Sequence, residues 1–187
     1  MQNTTTPIPL SSQLATQYSH TPEAAPELVA YLATHPGPLA AADAIVRTAD
    51  GRMLILDPPY KAGWDLPGGM NDDEDPEDGL LRELFEELGV TGVPLGRLLA
   101  VDTTPASVYG RPLITFIYQF TLPENVRTTD DLALQTDEID GAALVADEEA
   151  LARFPERLRR RVEAALAAEA STYIAYLRDG RRVAPCR

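Results

Sequence analysis

Residues 68–90 read GGMNDDEDPEDGLLRELFEELGV, and this stretch changes character twice. It opens on Gly68-Gly69, which reads as a tight loop after Trp64-Asp65-Leu66-Pro67. Asp72, Asp73, Glu74, Asp75, Glu77 and Asp78 then crowd together around Pro76. A helix follows. Asp75 suits its N-cap, Pro76 its first position, Asp78 a capping-box acid, and Gly89 its C-terminal stop. Leu81, Leu84, Phe85 and Leu88 recur at helical spacing and predict the buried stripe. Glu83, Glu86 and Glu87, at i, i+3 and i+4, share the opposite face, and Gly79 one turn earlier leaves room above it.

Like charges at this spacing cost roughly 0.2–0.5 kcal/mol per pair. Arg82 is the one adjacent cation. A carboxylate face beside a glycine loop has the oxygen donors that a hard divalent cation takes, with water and substrate phosphates completing its shell. On charge alone, a solvated acidic helix face is the better explanation of the pattern.

The stretch resembles the Nudix box, Gly-x5-Glu-x7-Arg-Glu-U-x-Glu-Glu-x-Gly-U with U apolar. Gly68, Glu74, Arg82, Glu83, Leu84, Glu86, Glu87, Gly89 and Val90 match its fixed positions. One departure is visible: members often have two glycines and then five residues before the first glutamate, whereas Gly69 and Glu74 enclose four. The resemblance implies an α+β fold, the Nudix α/β/α sandwich with a mixed sheet. It implies Mg²⁺ or Mn²⁺ as cofactor, with Glu86 and Glu87 as ligands and Glu83 as a further ligand or base. By the same resemblance, Arg82 orients the glutamates, Glu74 is a structural or outer-sphere acid, and Gly68 or Gly69 offers a backbone carbonyl to the metal.

The rest of the chain sets bounds. Its 187 residues, 44% hydrophobic, suit one globular domain. The net charge of −13 argues against a general nucleic-acid or anionic-membrane partner. It does not exclude an anionic small substrate, because bound cations invert the local field. Cys186, the one cysteine, cannot form an internal disulfide, which fits a reducing compartment such as the cytoplasm. The N-terminus shows no signal-peptide pattern, and no apolar run reaches membrane-spanning length. Oligomeric state is open, a homodimer included.

Residues 1–38 are expected to form an N-terminal arm, loose over 1–21 and with a short helix over 22–35. Residues 39–187 are expected to form the Nudix domain. Within it, 40–47 and 53–56 read as strands joined at Asp50-Gly51, a strong hairpin turn. Residues 95–101 and 113–121 also read as strands, the second being the clearest in the chain. The segments 102–111 and 123–137 read as loops. A short strand at 142–145, a helical turn at 147–150, a helix at 155–169 and a terminal hairpin at 173–183 follow.

Outside the box, Glu138 is the candidate for the distant acid that many relatives carry on a loop reaching the metal, with Asp137 and Asp140 as alternatives. Tyr60, Lys61 and Trp64 either touch a ligand or merely cover the core edge. His20 and His35 read as surface residues. These parts imply a divalent-metal-dependent hydrolase cleaving the phosphoanhydride of a nucleoside diphosphate linked to another group. The catalytic set is Glu83, Arg82 and Glu138, and the metal set is Gly68, Glu83, Glu86 and Glu87. No Ser, His and Asp constellation or placed Cys nucleophile is evident, so attack by water is preferred.

Pro105, fifteen residues beyond the box, lies near the spacing of a proline that marks many ADP-ribose pyrophosphatases of the family. It therefore favours ADP-ribose or a nucleotide sugar, and it would stiffen a loop walling the pocket. Tyr109 lies close to the spacing of a rival tyrosine marker for dinucleoside polyphosphate hydrolases. Pro105 also reads simply as a turn residue, since the chain has 16 prolines. The alternatives are a nucleoside triphosphate pyrophosphohydrolase and a non-hydrolytic nucleotide sensor on the same fold. Isomerase chemistry is disfavoured, because it relies on a cysteine in the site and Cys186 stands in the tail.

Overall fold

A computed structural model describes residues 31, 34, 35, 37–72 and 74–183. The chain divides into two units, Met1–Pro38 and Leu39–Arg187. In the first, most of the predicted short helix and His20 lie outside the described residues. His35 is exposed and stacks on Tyr31 at 4.1 Å. Cys186 also lies outside the described residues.

The second unit is built on a mixed sheet. Its strands are β1 (Leu39–Arg47), β2 (Met53–Asp57), β3 (Gly68–Asn71), β4 (Leu98–Thr104), β5 (Leu113–Thr121), β6 (Gly141–Val145), β7 (Ala175–Arg178) and β8 (Arg181–Arg182). The order is β6-β2-β1-β5-β4-β7-β8, with β3 paired to β1. β1 and β5 run parallel, as do β4 and β7. The helices are α1 (Pro76–Leu88), the single turn α2 (Ala106–Tyr109), α3 (Asp147–Arg153) and α4 (Glu156–Glu169). The architecture is α+β, as expected, with helices on both faces of the sheet. Among the described residues, no helix is long and apolar enough to cross a membrane.

β1 shows how the layers arise. Its residues point alternately to opposite faces. Ala42, Ala44 and Val46 join Leu54, Leu56, Tyr118 and Phe120 under Leu80, Leu84 and Leu88 of α1. Ile45 instead joins Met53, Ile55, Leu99 and Ile117 under Leu158, Val162 and Ala165 of α4. Fully burying each large side chain contributes about 1.5–3 kcal/mol. The β1–β2 turn forms at Gly51, whose φ of 87° suits glycine.

Three expectations need correction. The buried stripe of α1 is Leu80, Leu84 and Leu88 together with Glu87. Leu81 and Phe85 stand exposed, Phe85 by 55%. Helical spacing does not fix phase when apolar residues occupy two adjoining rows. Gly68-Gly69 is a strand, because β3 pairs with β1 from Asp43↔Gly68 to Ala40↔Asn71. The loop predicted over 102–111 begins with strand, since β4 continues through Asp102 and Thr104, both buried. Polar residues there mimic a loop, but each has a partner inside the fold.

Pro76 opens α1 as expected, and Gly89 closes it at φ 69°, its N–H donating to the Phe85 carbonyl at 2.8 Å. Asp75 is the N-cap by position but makes no side-chain capping bond. The space above Gly79 is filled. A β-carbon there would lie 2.2 Å from Asn71 Nδ2 and 3.0 Å from a Glu74 oxygen.

Candidate active site

The site begins where β3 passes α1. Gly68 carries φ 132°, and a β-carbon on it would stand 2.3 Å from the Ala42 carbonyl oxygen. Glycine is therefore required for β3 to lie this close to β1. The same closeness presents the Gly68 N–H to Glu87, donating to Oε2 at 2.9 Å. At Gly69, a β-carbon would come within 2.7 Å of the Glu83 carboxylate. The paired glycines thus admit two helix carboxylates to the backbone of β3.

Arg82 organises the other side of α1. Its Nη1 donates to Glu83 Oε1 at 2.9 Å and Glu86 Oε2 at 3.0 Å. Its Nε and Nη2 donate to Glu74 Oε1 at 3.0 and 2.6 Å. Charge-assisted bonds of this kind fix orientation as well as charge. Glu86 remains exposed, whereas Glu87 is 8% exposed. The expected shared face is therefore divided, Glu83 and Glu86 held by Arg82 and Glu87 turned inward.

Burial pushes the Glu87 carboxyl up to about 8, reinforced by Glu83, Asp43 and Glu138 and opposed by the Gly68 N–H. Burial also raises Glu83, and the Arg82 guanidinium partly offsets this. A carboxylate that resists ionisation among other acids signals a deficit of positive charge. All the candidate donors are oxygens, a set suited to Mg²⁺ or Mn²⁺. Among the described residues, no group of three His, Cys, Asp or Glu side chains forms a ready-made metal cage. Waters and substrate phosphates would complete the coordination.

Glu138 sits exposed in a turn, its N–H donating to the Gln135 carbonyl at 3.2 Å. The preceding segment is anchored on the end of α1. Ala133 N–H donates to the Leu88 carbonyl and Gln135 N–H to the Glu87 carbonyl, each at 3.1 Å. The Glu138 charge reaches both Glu83 and Glu87. Asp137 is exposed; Asp140 is fixed through its N–H to the Asp57 carbonyl at 2.8 Å.

Gly68 and Gly69 also line a cavity of about 720 Å³ on the α4 side of the sheet. Tyr60, Lys61 and Trp64 line it too, so the loop before β3 faces the cavity. Tyr109 of α2 forms another part of the wall; Pro105 heads that helix from an exposed position and does not line the cavity.

Sequence reasoning missed three contributors. Asp43 of β1 and Arg161 of α4 line the cavity 3.7 Å apart, and burial raises the Asp43 carboxyl. Arg161 Nε donates to buried Asp102 Oδ2 at 2.9 Å. Thr115 of β5 also lines the cavity. The available signal was an acid within the apolar run LAAADAIVR, at a position that faces inward.

The chain resembles known proteins over most of this unit. Human diphosphoinositol polyphosphate phosphohydrolase 3-alpha is 35% identical over 83 residues, 44% of this chain and 48% of that protein. This chain therefore spans about half the length of that curated relative. A UDP-X diphosphatase shares the fold at a TM-score of 0.56 and 21% identity, over 90% of this chain and 82% of that one. So does the NUDIX domain of Shewanella oneidensis NrtR, in a complex with ADP ribose. Its TM-score is 0.57 at 18% identity, over 86% of this chain and 98% of that one. With the NUDIX domain matching residues 37–165, more than half of the sequence, the chain belongs to the Nudix family.

Proposed function

We propose that the protein is a divalent-metal-dependent hydrolase that cleaves the phosphoanhydride of a nucleoside diphosphate linked to another group. The observation that carries this reading is the Glu87–Gly68 contact. It brings a buried helix carboxylate to the strand that lines the cavity. A diphosphate lying along Gly68-Gly69 would meet the box acids at one end and extend its nucleoside into the cavity.

Each residue has a separable task. Glu83, Glu86, Glu87 and the Gly68 carbonyl would hold Mg²⁺ or Mn²⁺. When bound, the cation neutralises phosphate oxygens and lowers the pKa of water. Arg82 holds Glu83 and Glu86 in place. Glu138, exposed in its turn, or Glu83 would take the proton of the attacking water on a carboxylate oxygen. Phosphoanhydride cleavage asks mainly for positioning and charge neutralisation. That demand fits a site made of carboxylates, one arginine and backbone amides.

As substrate we favour ADP-ribose or a related nucleotide sugar over a nucleoside triphosphate. The placement of Tyr109 in the cavity wall, on the turn headed by Pro105, supports a role for that loop in contacting the substrate. The likeness to a NUDIX domain that binds ADP ribose is consistent with this choice. It equally accommodates a sensor that binds without cleaving, so turnover decides between them. Release of nucleoside monophosphate from ADP-ribose and UDP-glucose, with Mg²⁺ and with EDTA, is the test. Metal-dependent cleavage supports the reading, and tight binding without cleavage by the purified protein refutes it.

A further inference from the structure

The inner cavity has a charge balance that the box does not explain. Three cations line it: Lys61, Arg157 and Arg161. Each is already engaged. Lys61 pairs with Asp65, and Arg157 Nε reaches Asp179 Oδ1 at 2.5 Å. Arg161 meets Asp102 at 2.9 Å and Asp43 at 3.7 Å, and its Nη2 donates to Thr104 Oγ1 at 3.3 Å. Four carboxylates thus answer three cations, beside a helix that brings further acids. Among the described residues, a phosphorylated ring entering here would meet no unpaired positive charge and would have to break these pairs.

The remaining wall is apolar or aromatic, with Leu39, Ala41, Leu113 and Leu158 near Trp64 and Tyr109. Its volume of about 720 Å³ falls in the range of small-molecule pockets. One polar group on this surface is unexplained. Thr115 is 1% exposed, and its buried Oγ1 has no hydrogen-bond partner among the described residues. A buried hydroxyl without a partner is costly. Thr115 stands beside Ala41 on β1 and Asp102 on β4. Rotation about χ1 exchanges its methyl and hydroxyl, so the hydroxyl can be offered to a ligand.

We propose that this cavity selects an uncharged nucleoside ring of the substrate and excludes a phosphorylated ring, with the Thr115 hydroxyl as a specificity-determining contact. This rests on the reading of the box as the diphosphate-cleaving end, and it names what occupies the other end. The apolar wall takes the ring faces. The compensated cations contribute shape while offering no net attraction to phosphate. Thr115 supplies a donor and an acceptor to a ring amide, amino group or hydroxyl.

The experiment measures binding to the full chain in EDTA, where cleavage plays no part. Adenosine and uridine serve as uncharged probes and inositol hexakisphosphate as the polyanionic one, by calorimetry. At least one nucleoside is expected to bind, and the polyanion to bind more weakly. Thr115→Val should weaken the nucleoside roughly three- to tenfold, the size of one neutral hydrogen bond. Its melting temperature should stay level or rise, because the lost hydroxyl has no partner among the described residues. Thr115→Ser should retain the affinity. Stronger binding of the polyanion, no binding of either nucleoside, or unchanged affinity in Thr115→Val would each overturn the proposal. So would a clear fall in the variant's melting temperature, which would assign the hydroxyl to the fold. Cleavage of ADP-ribose with Mg²⁺ is scored separately. Nucleoside binding without any cleavage would refute the hydrolase reading while leaving the cavity assignment intact.

Discussion

Glu87→Gln separates activity from stability. The substitution keeps the side chain's shape and an oxygen able to accept the Gly68 N–H. It removes the charge. If Glu87 is a metal ligand, losing one preorganised electrostatic group should lower turnover at least about 10²–10³-fold. The metal-free protein should respond in the opposite direction. Burial and the neighbouring acids move this carboxyl from 4.5 to about 8 in the fold. The folded state therefore holds a proton that the unfolded chain releases near 4.5. Ionisation opposes folding progressively as pH rises from 4.5 through 8. The penalty has a ceiling of about 4 kcal/mol at pH 8 and falls to about 1 kcal/mol at pH 5. Glutamine does not titrate, but its amide also resists burial. A net gain on the order of 1–3 kcal/mol at pH 8 follows, or roughly 3–10 °C in Tm for a chain of this size. Thermal unfolding in EDTA at pH 5 and pH 8, beside nucleotide release in Mg²⁺, measures both quantities. A variant with near-native turnover would remove Glu87 from the site. A variant less stable than the parent at pH 8 would show that the carboxylate is compensated within the fold.

Mg²⁺ or Mn²⁺ should raise the parent's melting temperature at pH 8, EDTA should reverse it, and Glu87→Gln should blunt the response; no shift at millimolar metal would count against a preformed site. Glu138→Gln should slow turnover more than Asp137→Asn or Asp140→Asn, and the reverse ranking in kcat would move the role to a neighbour. Gly79→Ala should lower Tm, because the added carbon meets Asn71 Nδ2 at 2.2 Å, and an unchanged melting curve would show that Asn71 yields easily. Relative kcat/KM for ADP-ribose, dGTP, CTP and a diadenosine polyphosphate should favour ADP-ribose; preference for a triphosphate would reject that choice and spare the hydrolase reading.

The legible parts of the site were those written locally. Loop, helix and cap lie within 23 residues, and the order of Gly68, Arg82, Glu83, Glu86 and Glu87 is itself the signal. β5 was equally plain, because LITFIYQFT leaves little alternative to a strand. The sequence was ambiguous where tertiary pairing decides. Gly68-Gly69 has low strand propensity and becomes a strand only because β1 lies beside it. Asp102 and Thr104 looked like loop residues until Arg161, far along the chain, supplied their partner. The phase of α1 failed for a related reason. Leu81 and Phe85 are as apolar as Leu80 and Leu84, so only the position of the sheet tells the rows apart.

β3 explains how one face of the sheet can inform the other. Its backbone is paired to β1 at Asp43↔Gly68. The Gly68 N–H addresses Glu87 on the α1 side, while Asp43 lines the cavity on the α4 side. Asp43 and Glu87 each feel charge beyond their own helix or strand, and Asp43 contributes to the raising of Glu87. Arg161 opposes this by lowering Asp43. A cation in α4 is thus linked to a carboxylate on α1 through one buried acid and one strand without side-chain bulk. Arranged this way, a group bound in the cavity and phosphates bound at the box would share an electrostatic environment. Substituting at Asp43 or Arg161 should therefore alter both substrate choice and kcat, whereas Thr115→Val should act mainly through KM.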